Sequence, residues 1–430
     1  MSAWRAAHGA GPDVAAAARA CAESLGSVGG AGLGVFYVTD AAAYDVAAVG
    51  ALLADTTGVD RWIGGVGVGV AAAGPDMPAT ETHYDEIGVV AMTLPIPADR
   101  LRLFHAADED GLDRSLADAA AWSAVAHPGL AVVHADPRAE AAAAVIEALA
   151  MRAGVFTIGC FTAAPSLMGL DDFDDDDDED ETEADDETEA EAEEPLRLAL
   201  ATPEIVDEDD GDDIDAGVGA PDQVAGDAFA GMVSGVLIGG ALEIATGLTQ
   251  GCAPIGPMRP VTRSEGNVVI EIDGRPALEV LLEDGGAEIA NDLRRLGGRI
   301  YLAKAVAGGA ARDYLVRNLL AVDPQHGWVA IGDMIEDGDH VAFAKRDRES
   351  AVDDMRAMLA DLTRRAGKPP LGALYHSCAA RGPNMFDAEL REIDLIREAF
   401  PETPVIGVFG NGEISQGRVY GYTGVLTLFL

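Results

Sequence analysis

The segment His376-Ser377-Cys378-Ala379-Ala380-Arg381-Gly382 is the densest polar cluster in the sequence, and it leaves the C-terminal end of an expected strand. Gly410-Asn411-Gly412-Glu413 leaves the next strand in the same way. In α/β architectures ligands collect beyond the carboxyl ends of strands, where loops present backbone N–H groups and side chains together. Arg381 can hold a carboxylate through two parallel hydrogen bonds, and Glu413 can neutralise an ammonium, so the pair suits a zwitterion such as an amino acid. Ser377, Cys378, Asn411, Gly412 and Cys252 complete the expected lining, with glycine admitting close approach of a ligand to the backbone. The plainer reading is an ion pair between Arg381 and Glu413 that braces the two loops.

Cys378 and His376 stand two apart in a strand and so share a face. An adjacent imidazole can lower a thiol pKa, which makes Cys378 a nucleophile candidate for a thiol-dependent hydrolase or transferase. No orienting acid or oxyanion motif accompanies it, and a buried cysteine at a strand end is as readily a packing residue. The glycine-rich stretch 247–257 lacks the GxxxxGK[ST] spacing of a phosphate loop, and Gly65-Val-Gly-Val-Gly69 lacks GxGxxG, so both read as turns. Cys21, Cys160, Cys252 and Cys378 form no CxxC pair, which argues against a zinc knuckle, a redox dithiol or a secreted disulfide scaffold. A reducing cytoplasm fits this usage; no metal site and no cofactor are expected.

The chain of 430 residues has 74 acidic and 29 basic side chains, a formal charge of −45. Of the 24 residues in 171–194, 18 are Asp or Glu, as are 8 of the 12 in 204–215. These runs hold 26 acids with Arg197 the only base among them, and the rest of the chain still carries −20. Such a surface repels phosphate backbones and anionic headgroups, so neither nucleic acid nor membrane is expected as a partner. High charge with almost no aromatic content predicts disorder over 171–215, as a solvated tether rather than a calcium loop, since the EF-hand register is missing. The N-terminus shows no secretory pattern. The near-apolar run 231–249 holds five glycines and Glu243, which favours two buried strands over a membrane span.

Periodicity locates the elements that carry the polar loops. Residues 33–39, 87–94, 130–133 and 155–159 read as strands, 61–70 as a glycine-rich strand and turn, and 41–57 and 110–124 as helices. Another helix is expected to begin at Asp136-Pro137, an acid at the N-cap followed by proline in the first turn, and to run to about residue 151. Downstream, 328–331, 340–344, 372–375, 405–408 and 423–429 read as strands and 350–365 as an amphipathic helix. Asn384 is expected to cap a helix with Asp387 three residues on and Phe386, Leu390, Ile393 and Phe400 as its buried stripe. Leu130-Ala-Val-Val-His134 matches Gly372-Ala-Leu-Tyr-His376, Thr157-Ile-Gly-Cys-Phe161 matches Val405-Ile-Gly-Val-Phe409, and Ser234-Gly-Val-Leu237 matches Thr423-Gly-Val-Leu426. These pairs imply a degenerate internal duplication, with the acidic run inserted at one loop of the first copy and 410–421 as the equivalent loop of the second.

The same segments resemble the FIST family (F-box and intracellular signal transduction proteins). The resemblance rests on Gly251-Cys252-Ala-Pro-Ile-Gly256, on the stretch from Val261-Thr262 to Pro276-Ala277-Leu278-Glu279, and on Gly338-Asp339 with Arg346-Asp347. Ser377-Cys378-Ala-Ala-Arg381-Gly382 and Ile406-Gly407 through Gly412-Glu413-Ile414 complete it. It implies a sensory module that binds small ligands, amino acids among them, and has no established catalytic activity. The expected Gly-Cys near the second strand of the N-terminal domain reads Gly64-Gly65 here, a departure that weighs against a site in that half.

The expectation is therefore an α/β or α+β protein of two related layered domains with mixed sheets flanked by helices. Its parts would be an N-terminal segment 1–30, an N-terminal-type domain 31–250 containing the disordered insert 171–215, and a C-terminal-type domain 251–430. It would act in the cytoplasm as a small-ligand sensor without an output domain, signalling through a separate protein partner, and not as an enzyme. The rivals are the thiol enzyme at Cys378 with His376 and an interaction scaffold whose acidic tether docks a basic partner.

Overall fold

The computed structural model describes residues 4–28, 32–84, 86–163, 198–199, 221–291, 293–306, 308–309, 313–386 and 390–430. The disorder expected over 171–215 falls outside these, Leu198–Ala199 excepted. The architecture is α/β, layered, with mixed sheets, and it divides into two compact units. The first comprises Met1–Pro165, Asp212–Cys252 and Asp347–Leu430; the second comprises Ser166–Gly211 and Ala253–Arg346.

The first unit is built from three copies of one chain path. Each copy begins with an edge strand (Arg5–Ala10, Leu101–Ala106, Ile244–Gln250) and a helix (Val14–Leu25, Glu109–Ala126, Arg348–Ala366). A central strand follows (Leu33–Thr39, Pro128–Ala135, Gly372–Cys378), then helical chain, then a strand parallel to the central one (Trp62–Gly67, Phe156–Phe161, Val405–Gly410). A short hairpin comes next, and a return strand (Gly88–Leu94, Val233–Gly239, Thr423–Phe429) pairs antiparallel with the central strand. The duplication read from the sequence is the second and third of these copies. In both, the histidine of the central strand, His134 or His376, lies opposite the same position of the parallel strand, Cys160 or Val408.

The short hairpin never stays in its own sheet. Gly69–Ala73 of the first copy pairs with Val405–Gly410 of the third, Glu413–Ser415 of the third with Phe156–Phe161 of the second, and Gln223–Ala225 of the second with Trp62–Gly67 of the first. Each copy thus lends two strands, and each of the three sheets of this unit has six in the same order. The inner faces of all three sheets form one core that includes Val35, Ile63, Val70, Leu130, Val132, Ile158, Leu374, Ile406 and Val408. Each outer face packs under its own helices. Burial on both faces explains why these strands read as unbroken apolar runs.

Two local expectations are corrected. The helix of the second copy starts at Ala142, not at Asp136-Pro137, because the Asp136 carboxylate binds Arg138 and the amide of Gly231 instead of capping. The helix expected from Asn384 is two pieces, Gly382–Met385 and Glu392–Ala399, with Asp387 outside the described residues. Asp394, at the third position of the second piece, accepts from the Arg391 amide and supplies that start. Within residues 1–30, expected as an N-terminal segment, Arg5–Ala10 and Val14–Leu25 are the edge strand and helix of the first copy.

The second unit is, among the described residues, mostly antiparallel sheet, with Ile300–Ala305 between Tyr314–Asp323 and His340–Arg346, and an α-helix, Ala277–Asn291, kinked at Gly286. Its core gathers Val261, Val269, Ile272, Leu281, Leu302, Val329 and Phe343. Among the described residues no helix is long and apolar enough to cross a membrane.

Candidate functional site

In the third copy the central and parallel strands end side by side, Cys378 opposite Gly410, and the chain leaves each as a polar loop. Along the central strand Tyr375 and Ser377 point to the helix-covered face, while Leu374 and His376 point into the shared core, as two-residue alternation requires. Arg381 folds over this strand end and is fully buried. Its Nε donates to Glu392 Oε1 at 2.8 Å. The same carboxylate accepts from the Tyr375 hydroxyl at 2.5 Å and from Ser377 Oγ at 3.2 and 3.3 Å. Phe386 lies against the guanidinium, 5.2 Å from its ring centre. Both terminal nitrogens of Arg381 are buried and meet no acceptor among the described residues.

Glu413 is also fully buried. Its Oε2 accepts from the Thr423 amide at 3.1 Å and the Thr423 hydroxyl at 2.5 Å, and its Oε1 meets no partner. Burial pushes the Glu413 carboxyl up to about 8, against the pull of Thr423 and Arg381. Arg381 goes the other way. Burial alone would lower it, but the fields of Glu392, Tyr375 and Glu413 hold it above its ordinary value and fully charged. Arg381 and Glu413 feel each other's charge without forming an ion pair; the partner of Arg381 is Glu392.

The structure brings Arg381, Ser377, Cys378 and Glu413 together. Gly251, the residue before buried Cys252, packs against the guanidinium, since a Cβ there would lie 3.2 Å from a terminal nitrogen. Asn411 turns away: it is exposed and donates to the Thr162 carbonyl at 3.3 Å, while the Gly412 carbonyl accepts from the Phe161 amide. Cys378 is held as a thiol, because burial and then Glu413 push its pKa up. His376 is directed into the core, where burial lowers it to about 3, and its Nε2 meets the Tyr37 hydroxyl at 3.0 Å. Tyr37 also meets His134 Nε2 at 3.1 Å, so one residue from each central strand joins a buried triad.

Beside the Arg381 cluster lies a cavity of about 200 Å3, lined by Thr82, Tyr84, Phe386, Arg391, Glu392 and Phe409 among others. Arg381 and Glu413 do not line it; Glu392 and Phe386 stand between, each touching Arg381 on the other side. Tyr375, Thr423, Glu392 and Phe386 were not among the site candidates read from the sequence. Only Phe386 carried a signal there, as part of an apolar stripe.

The FIST N domain matches residues 32–171 and 211–275, and the FIST C domain matches residues 277–416. An uncharacterized protein of Mycobacterium tuberculosis is 33% identical over 204 residues, which is 46% of this chain and 53% of the relative. An uncharacterized protein of Mycobacterium bovis is 30% identical over 194 residues, 43% of this chain and 50% of the relative. The chain thus spans about half the length of the curated relatives it matches.

Proposed function

Because the chain belongs to the FIST family, whose domains serve sensing and signal transduction, we propose that its first unit binds a small carboxylate, an amino acid in the first instance. The observation that carries this reading is a fully buried guanidinium whose two terminal nitrogens meet no acceptor, close to a buried carboxyl with one oxygen unpartnered. Leaving such groups unpaired costs on the order of 1–3 kcal/mol each, and a ligand carboxylate on the Arg381 fork with its ammonium toward Glu413 Oε1 recovers that cost. Ser377 and Tyr375 act through Glu392, fixing the plane of the guanidinium. The cavity beside Phe386 and Tyr84 is the approach to the cluster. Output passes to a separate protein partner, in a reducing cytoplasm suited to four free cysteines.

Cys378 contributes a wall, not a nucleophile, since its environment raises the thiol instead of activating it. The test is a thermal-shift panel of amino acids, other small carboxylates and nucleotides, run on wild type and Arg381→Lys. Lysine keeps the charge but loses the fork. A ligand at 100 times its dissociation constant stabilises by about 2.7 kcal/mol. The expected result is a selective upward shift for one carboxylate class that Arg381→Lys abolishes; a flat panel for wild type would remove the ligand reading.

A further inference from the structure

Away from the Arg381 cluster, two edge strands bring three ligating side chains together. His8 lies on Arg5–Ala10, the outer strand of one sheet, and Glu81 and His83 lie on Glu81–Tyr84, the outer strand of another. One donor atom from each lies within 4.8 Å of the other two. His83 Nε2 and His8 Nδ1 are 3.3 Å apart. A tetrahedral ion with bonds of 2.0–2.1 Å to nitrogen has an edge of about 3.3–3.4 Å, so the two imidazoles already stand at ligand spacing.

The tautomer is set for coordination. His83 Nδ1 faces Glu86 Oε1 at 2.6 Å, so that nitrogen carries the proton and Nε2 turns its lone pair toward His8 and Glu81. The His83 ring is 5% exposed and packs on Gly88, where any side chain would collide with it, so its orientation is fixed. His8 and Glu81 are only partly buried, which leaves the cluster open for an ion to enter and for water to complete its shell. Two imidazoles and one carboxylate, without thiolate, favour zinc and its neighbours over magnesium or calcium.

We propose that His8, Glu81 and His83 bind a divalent transition-metal ion of the zinc class, with Glu86 as the positioning residue that orients His83. The ion ties the first strand of the first copy to a strand lent to the third copy's sheet. Two-residue alternation gives that lent strand a second role: Glu81 and His83 face the ion, while Thr82 and Tyr84 line the cavity on the other side. The proposal stands whether or not the cavity leads to an amino-acid site.

The test is calorimetric titration of the chelator-stripped full chain with Zn2+, in excess Ca2+ to occupy the acidic runs, alongside Co2+ absorption spectra. His8→Ala, Glu81→Gln and Glu86→Gln are titrated in parallel. The expected result is one Zn2+ per chain, four-coordinate Co2+ bands without sulfur charge transfer, and affinity lower by about 10- to 100-fold in Glu86→Gln and by more in the two ligand variants. His8 is partly exposed, so its removal leaves folding intact. Absence of Zn2+ binding by wild type, or an isotherm unchanged in His8→Ala and Glu81→Gln, overturns the proposal.

Discussion

Arg381 and Glu413 solve the problem of burial differently. The arginine stays charged because Glu392 answers it at 2.8 Å, and removing one partner of such a pair costs about 3–5 kcal/mol. Glu413 has only Thr423 and the field of the Arg381 guanidinium to favour its charged form, so it keeps its proton up to about pH 8, whereas the unfolded chain releases it near 4.5. Between those values the folded state binds the extra proton, so this carboxyl's contribution to stability is full below about pH 4.5 and falls as pH rises toward 8. Glu413→Gln should therefore flatten the decline: urea melts at several pH values should show wild type losing stability relative to the variant by up to about 1.4 kcal/mol per pH unit in that window. A constant difference across the window would show that Glu413 is ionised in the folded state. Arg381 and Glu413 were legible because each follows an apolar strand. Glu392 was not, since a lone acid beside a helix stripe reads as solvent-facing. His8, Glu81 and His83 were hidden for another reason: only the lending of strands between sheets brings positions 8 and 83 together.

At the scale of elements the strongest regularity is an Ile-Gly step in each parallel strand: Ile63-Gly64, Ile158-Gly159 and Ile406-Gly407. Each glycine sits opposite the central-strand residue just before the buried triad member, Phe36, Val133 and Tyr375 respectively. A Cβ would come within 2.0 Å of the Phe36 carbonyl oxygen at Gly64, 1.8 Å of the Val133 oxygen at Gly159, and 3.3 Å of the Tyr375 oxygen at Gly407. Alanine substitutions should rank accordingly. Gly159→Ala should lose about 3 kcal/mol or more in urea unfolding and Gly407→Ala about 1 kcal/mol, and the reverse order would contradict the close packing described for the second copy. The second and third copies could be seen in the sequence because both keep this step and a histidine at the fifth position of the apolar string. The first escaped notice because Tyr37 stands where the others have histidine and its leading strand and helix lie in residues 1–30. The lengths of the strands 33–39, 328–331 and 423–429 were plain from composition. The break after Met385 was not, because the apolar period continues across it.

Across the three copies of the first unit, lending strands leaves no sheet that is complete within one copy. Amides of Val35, Val132 and Leu374, one from each central strand, should exchange with hydrogen isotope at a common opening free energy, measured by mass spectrometry or NMR. Values spread by more than about 1 kcal/mol would mean that the three sheets open separately. The same circuit has a consequence in time. Gly69–Ala73 leaves the ribosome early, yet the strand it pairs with, Val405–Gly410, lies more than 300 residues downstream. At about 5–20 residues per second the wait is on the order of tens of seconds, with apolar strand edges uncovered throughout. Until residue 410 has been made, the first copy therefore holds an apolar edge whose partner does not yet exist.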